Sequence, residues 1–131
     1  MPQHPIEVIL MRQLASYLAV PIFVVDPRGT LLYYNEPAEA LLGRRYEETG
    51  ELPLGAWTRL FRPTAEDGSA LPPDALPLVI AVREQRAAHR AMQIRGLDGV
   101  ARRLEVTAFP LVGQGGRRLG GVAIFWEAPG P

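Results

Sequence analysis

Two stretches near the C-terminus leave this chain few ways to fold. In Arg102-Arg103-Leu104-Glu105-Val106-Thr107-Ala108-Phe109, one parity (Leu104, Val106, Ala108) is wholly apolar, while Arg103, Glu105 and Thr107 alternate with it before Phe109. A period of two with one apolar side is a strand that buries one face. Residues 119–126 are apolar on both parities, with Gly121, Ala123 and Phe125 on one and Val122, Ile124 and Trp126 on the other. Such a strand needs cover on both faces. Leu97-Asp98-Gly99 supplies the Asp-Gly pair of a tight hairpin before the first stretch, and Gly113-Gln114-Gly115-Gly116 a looser reversal between the two.

The preceding residues complete an α+β pattern. Ile6, Ile9, Leu10, Leu14, Tyr17 and Leu18 recur at helical spacing over residues 5–20, opposed by Glu7, Arg12, Gln13 and Ser16, which predicts an amphipathic helix. Pro21 ends it and opens a strand, Ile22-Phe23-Val24-Val25. Asp26-Pro27-Arg28-Gly29 is turn chemistry, so Leu31-Leu32-Tyr33-Tyr34 is expected to return as the second arm of a hairpin. Asn35 is placed as an N-cap, Glu36 and Pro37 suit a first turn, and Gly43 suits a C-cap, giving a helix over residues 36–42. Proline and glycine then punctuate the chain to Leu76, leaving room for one-turn helices, one of them around residues 55–60. Pro77 opens a longer helix over residues 78–85, and a third strand over residues 89–95 leads into the C-terminal hairpin. The expected architecture is α+β with a five-stranded antiparallel sheet: a helical segment over residues 1–20, a domain over 21–127 and a tail over 128–131.

At 131 residues the chain is one domain with a modest core. Fourteen basic and fourteen acidic residues cancel, so no long-range field draws it to nucleic acid or an anionic membrane. Every basic side chain is arginine, and the pairs Arg44-Arg45, Arg102-Arg103 and Arg117-Arg118 read as solvated charges. Cysteine is absent, which excludes disulfides, thiolate metal sites, cysteine nucleophiles and any covalent cysteinyl-flavin photoadduct. There is neither an export signal nor an apolar run of membrane-spanning length, so the expected location is cytoplasmic.

Val25-Asp26-Pro27-Arg28-Gly29, Tyr33-Tyr34-Asn35-Glu36-Pro37-Ala38 and Leu41-Leu42-Gly43 resemble the opening hairpin and Asn-capped helix of PAS domains. Asp67-Gly68, Leu71-Pro72, Pro77-Leu78 and Ala81 resemble a common bacterial form of the family's middle region, and Asp98-Gly99, Phe109-Pro110-Leu111 and Leu119-Gly120-Gly121-Val122 its closing strands. The resemblance covers residues 20–127. The family's closing Asp-Ile-Thr is replaced by Phe125-Trp126-Glu127, so the chain is either a piece of a larger signalling protein or acts alone. The resemblance implies a bacterial sensory or interaction module that detects a small molecule or cofactor, or docks a partner, and passes the event to an effector domain or a separate protein.

Alternation assigns Phe23, Val25, Leu31, Tyr33, Met92, Ile94, Leu104, Val106, Ala108 and Ala123, with Gly121 and Phe125, to the inner sheet face, where a ligand pocket would lie. Tyr33 is the one polar handle among them. The same alternation describes a filled core equally well. The opposite face carries Phe109, Val122, Ile124 and Trp126, more apolar surface than a monomer leaves to water. A homodimer through Ile6, Leu10, Leu14, Tyr17 and these outer-face residues is expected, against the alternative that the helix folds back on its own sheet.

Specific chemistry finds little support. His89 starts a strand beside Arg90, whereas the family's haem-binding histidine lies on the preceding helix, so His89 reads as a surface imidazole. His4 sits at the terminus, and no metal site is indicated. Ser16 and Ser69 have no histidine at a suggestive spacing, and Glu47-Glu48 and Glu66-Asp67 read as solvated loop carboxylates, so no enzyme is expected. A ligand-free docking module with a filled core is the chief alternative, ahead of an enzyme or a GAF-like or profilin-like module of similar topology.

Overall fold

The computed structural model of the protein describes residues 5–96 and 99–128. The chain runs α1 (Ile6–Ala15), β1 (Ile22–Val25), β2 (Leu31–Tyr34), α2 (Glu36–Leu42), α3 (Tyr46–Thr49), α4 (Leu54–Phe61), α5 (Pro77–Glu84), β3 (Ala88–Arg95), β4 (Ala101–Val112) and β5 (Arg118–Glu127). The five strands form one antiparallel sheet in the order β2-β1-β5-β4-β3. The doubly apolar stretch is thus the central strand, buried on its inner face at Ala123 and Phe125 and on its outer face at Val122, with Trp126 left exposed at its end.

Each local signal has its physical counterpart. The Asp26 carboxylate accepts from the N–H groups of Arg28 and Thr30 and closes the β1–β2 turn. Asn35 caps α2 by accepting from Ala38 N–H, and Gly43 N–H donates to Glu39 O at the other end. The Asp-Gly hairpin falls on Leu97 and Asp98, outside the described residues, but Gly96 N–H donates to Val100 O across its base. His4 and residues 129–131 also lie outside them. The N-terminal helix stops at Ala15, short of the expected residue 20, and the C-terminal strands run longer than expected, to Val112 and Glu127.

The sheet's two faces are packed differently. On the inner face, α2, α4 and α5 enclose the larger core, in which Phe23, Tyr34, Trp57, Phe61, Leu104 and Phe125 are buried. On the outer face a smaller cluster of Val8, Ala15, Ile22, Val24, Leu32, Leu119 and Val122 joins α1 to the sheet. Helix α5 approaches closely because β5 carries no side chain at Gly121; a Cβ there would lie 2.9 Å from Val82 Cγ2 and 3.2 Å from Leu78 Cδ1. Gly120, at φ 132°, runs so near β1 that a Cβ would meet Val25 O at 1.9 Å.

One face assignment is corrected. The β1–β2 register runs Phe23↔Tyr34, Val24↔Tyr33, Val25↔Leu31, skipping Leu32. This bulge inserts one residue and reverses the alternation beyond it. Leu31 and Tyr34 therefore face the inner core, and Tyr33 faces outward with Leu32. The polar handle expected in the pocket is on the other side of the sheet.

Candidate functional site

Beneath the helices, the inner face leaves a cavity of about 60 Å³. Six of the residues expected at a pocket line it: Phe23, Met92, Ile94, Leu104, Val106 and Ala123. Phe125, also assigned to this face, joins them. Val25, Leu31 and Ala108 are buried in the same core without reaching the cavity wall.

The roof was not legible as a wall. Leu42 comes from the end of α2, Trp57 and Phe61 from successive turns of α4, Pro63 from the segment after it, and Leu76, Pro77 and Leu78 from the start of α5. Trp57 and Phe61 stand at i and i+4, a spacing that marks one helix face and was the available signal. Their direction is set by tertiary contacts. Trp57 Nε1–H donates to Gly29 O at 2.9 Å, Leu54 packs over Gly29, and Leu52 bridges to Leu31, so α4 is fastened over the β1–β2 turn. Thr64 and Gln93 exchange backbone hydrogen bonds of 2.8 and 2.9 Å and hold the next segment to the edge of β3.

Phe23 is the hub of the cavity wall. Its ring is T-shaped with Phe125 and Trp57, with centroids 5.3 and 5.9 Å away, and tilted against Tyr34 and Phe61 at 5.5 and 5.9 Å. All the lining residues are apolar apart from the indole N–H of Trp57, which is spent on Gly29. Tyr34, behind Phe23, directs its hydroxyl away to Arg44 O at 3.0 Å. Among the described residues no buried side-chain nitrogen or oxygen lacks a hydrogen-bond partner, and no group of three or more His, Cys, Asp or Glu could hold a metal. His89 lies on the outer face, paired with Glu105 at 2.8 Å and 6.1 Å from the Trp126 ring, so it cannot reach iron in the cavity. A flavin's polar ring edge would find no partner among these walls, so neither haem nor flavin fits.

A chain of rings leads from the cavity to α1. Tyr34 meets Tyr46 at 5.4 Å, Tyr46 meets Tyr33 at 5.3 Å, and the Arg12 guanidinium lies 4.8 Å from the Tyr33 ring and 5.4 Å from that of Tyr46. The Tyr46 hydroxyl donates to Leu32 O. Burial pushes the phenol pKa of Tyr33, Tyr34 and Tyr46 up; the Arg12 charge works against this at Tyr33 and Tyr46.

Asn35 ties these layers together and is the one buried polar residue among those described. Its Oδ1 accepts from Ile22 N–H at 3.0 Å and Ala38 N–H at 3.3 Å, while Nδ2 donates to Ala15 O at 3.0 Å and Val20 O at 2.8 Å. One side chain thus joins the end of α1, the start of β1 and the cap of α2.

The expected interface residues divide. Helix α1 does fold back on its own sheet, but through Val8, Met11 and Ala15. Ile6, Leu10, Leu14 and Tyr17 face away and are 66, 55, 52 and 79% exposed. Trp126 is 40% exposed. Phe109 and Ile124 are half-buried against the outer cluster. Val122 is buried within the single chain and so has no surface to offer a partner.

Comparison with known proteins agrees with this architecture. The family model described as PAS fold matches residues 10–54. No curated protein sequence matches. Among solved structures, the PAS domain of nitrogen regulation protein NR(II) from Vibrio parahaemolyticus is 17% identical, with TM-score 0.65 over 91% of this chain and 98% of that one. A PAS domain from Colwellia psychrerythraea is 19% identical, with TM-score 0.64 over 92% and 97%. The LOV protein of Rhodobacter sphaeroides is 13% identical, with TM-score 0.74 over 95% of this chain and 69% of that one. With the strand order, the helices roofing one face and the match across the opening hairpin all in agreement, this chain has the PAS fold.

Proposed function

We propose that this domain is a non-catalytic sensory and docking module of a signalling protein. In this reading the inner cavity takes a small molecule, and two copies associate through the outward stripe of α1. The observation that carries it is the pairing of an apolar cavity under the helices with an apolar stripe left uncovered on the one helix behind the sheet. Ile6, Leu10 and Leu14 follow one another at i+4 on α1, so they form a single ridge suited to a second identical ridge, with Tyr17 exposed just past the helix end. Large exposed apolar side chains in such continuity mark interaction surfaces. The NR(II) neighbour comes from a nitrogen regulation protein, which agrees with a signalling context.

A ligand acts in such a module only through its different affinity for two states of the domain. The aromatic chain from Phe23 to Arg12 offers a route by which a changed cavity would be felt at α1. Among the described residues no helix is long and apolar enough to cross a membrane. The modest size of the cavity favours one other reading, a docking module that needs no ligand.

Light scattering on the wild type and on Leu14→Asp tests the docking half. The wild type is expected at twice the monomer mass and the variant at the monomer mass, with unchanged circular dichroism. A wild type that is monomeric at high concentration, or a variant that stays dimeric, would remove the stripe from the proposal.

A further inference from the structure

We infer that the occupant of the inner cavity is a compact, uncharged molecule without hydrogen-bonding groups, no larger than a single aromatic ring; this rests on the ligand-binding half of the proposed function. Three observations carry it. The first is size: about 60 Å³ is smaller than the roughly 150 Å³ apolar cavity known to accept benzene or xenon, so a single ring is an upper bound that already requires the walls to give.

The second is chemistry. The walls are aliphatic and aromatic carbon, the Trp57 N–H is bonded to Gly29 O, and the Tyr34 hydroxyl is bonded to Arg44 O. A hydroxyl, amine or carboxylate entering this space would lose its water and gain no partner, and a charge would fare far worse. An apolar molecule has no hydrogen bond to give up on entering.

The third is shape. Phe23 stands nearly perpendicular to both Phe125 and Trp57, so the rings bordering the space lie in crossed planes, an arrangement that gives a compact apolar guest ring contacts on more than one side. The flexible side chain of Met92, also in the wall, can shift to admit it.

Benzene and pressurised xenon are the probes, with phenol as the matched polar control, added to the full chain and followed through the methyl resonances of Met92, Val106 and Ala123. Saturable shifts at these methyls are expected with both apolar probes. Benzene at about a hundred times its Kd should raise Tm by roughly 5–10 °C. Phenol should bind roughly 10- to 100-fold more weakly than benzene.

Phenol binding as tightly as benzene would overturn the inference while leaving a ligand-binding module intact. Silence at all three methyls with both apolar probes would overturn the inference and the ligand half together, while the light-scattering result on Leu14→Asp still decides the docking half. Ala123→Leu fills the space and should abolish the benzene response; a response that survives it places binding elsewhere and sinks the assignment. Should that variant not fold, the methyl map of the wild type decides the site by itself.

Discussion

The two faces of the sheet bury apolar side chains to different ends. On the inner face Phe23, Trp57, Phe61 and Phe125 are enclosed by three helices, and the apolar surface is used up except for the cavity itself. On the outer face a single helix covers part of the sheet with Val8, Met11 and Ala15, then presents Ile6, Leu10 and Leu14 to water. The same residue types therefore contribute stability on one side and an unmet surface on the other. Burial, and not hydrophobicity as such, separates a core from an interface.

Removing a ring from the inner hub should have the largest effect. Phe23→Ala is expected to cost about 3–5 kcal/mol in urea denaturation, because it enlarges an existing cavity and strips four rings of their common neighbour. Leu14→Ala, an equally apolar deletion on the outer helix, should change monomer stability by no more than about 0.5 kcal/mol. Equal costs would erase the distinction between the faces.

Next in size is Asn35→Ala, which touches both faces at once. It leaves two N–H groups and two carbonyls without their side-chain partner and should cost about 2–4 kcal/mol. Hydrogen exchange should quicken at α1 and α2 together; faster exchange in one alone would show that the layers are not coupled through this residue.

The smallest effect is one of pH. Burial raises the pKa of Tyr33, Tyr34 and Tyr46 above the usual 10.0, so the folded chain keeps phenol protons that the unfolded chain releases. The stability they contribute is fully present below pH 10.0 and is lost as pH rises beyond it. Tyr46→Phe should make that loss shallower, and Arg12→Ala should move tyrosinate absorbance to still higher pH by removing the charge that favours ionisation. An unchanged absorbance titration in Arg12→Ala would mean that the guanidinium does not sit over these rings in solution.

Much of the fold was legible residue by residue. The β1–β2 turn, the Asn35 cap and the Gly43 stop are satisfied by atoms within a few residues, so short-range chemistry was enough to place them. The period of two in β4 and the doubly apolar β5 announced how many faces each strand buries. Six cavity residues followed from alternation read along β1, β3, β4 and β5. Tyr33 did not, since the skipped Leu32 depends on how β2 pairs with β1, and alternation carries no mark of a bulge.

The amino-acid order by itself determined the element types, the sheet's antiparallel character, and the exclusion of thiol chemistry. Only the tertiary structure decided that β1 pairs with β5, that Trp57 and Phe61 close the cavity, and that α1 spends Val8 and Ala15 on its own sheet while holding Ile6, Leu10 and Leu14 outward. The reason is range. A cap or a period is set by atoms a few bonds apart, whereas a cavity and an uncovered stripe are what remain after every distant segment has taken its place.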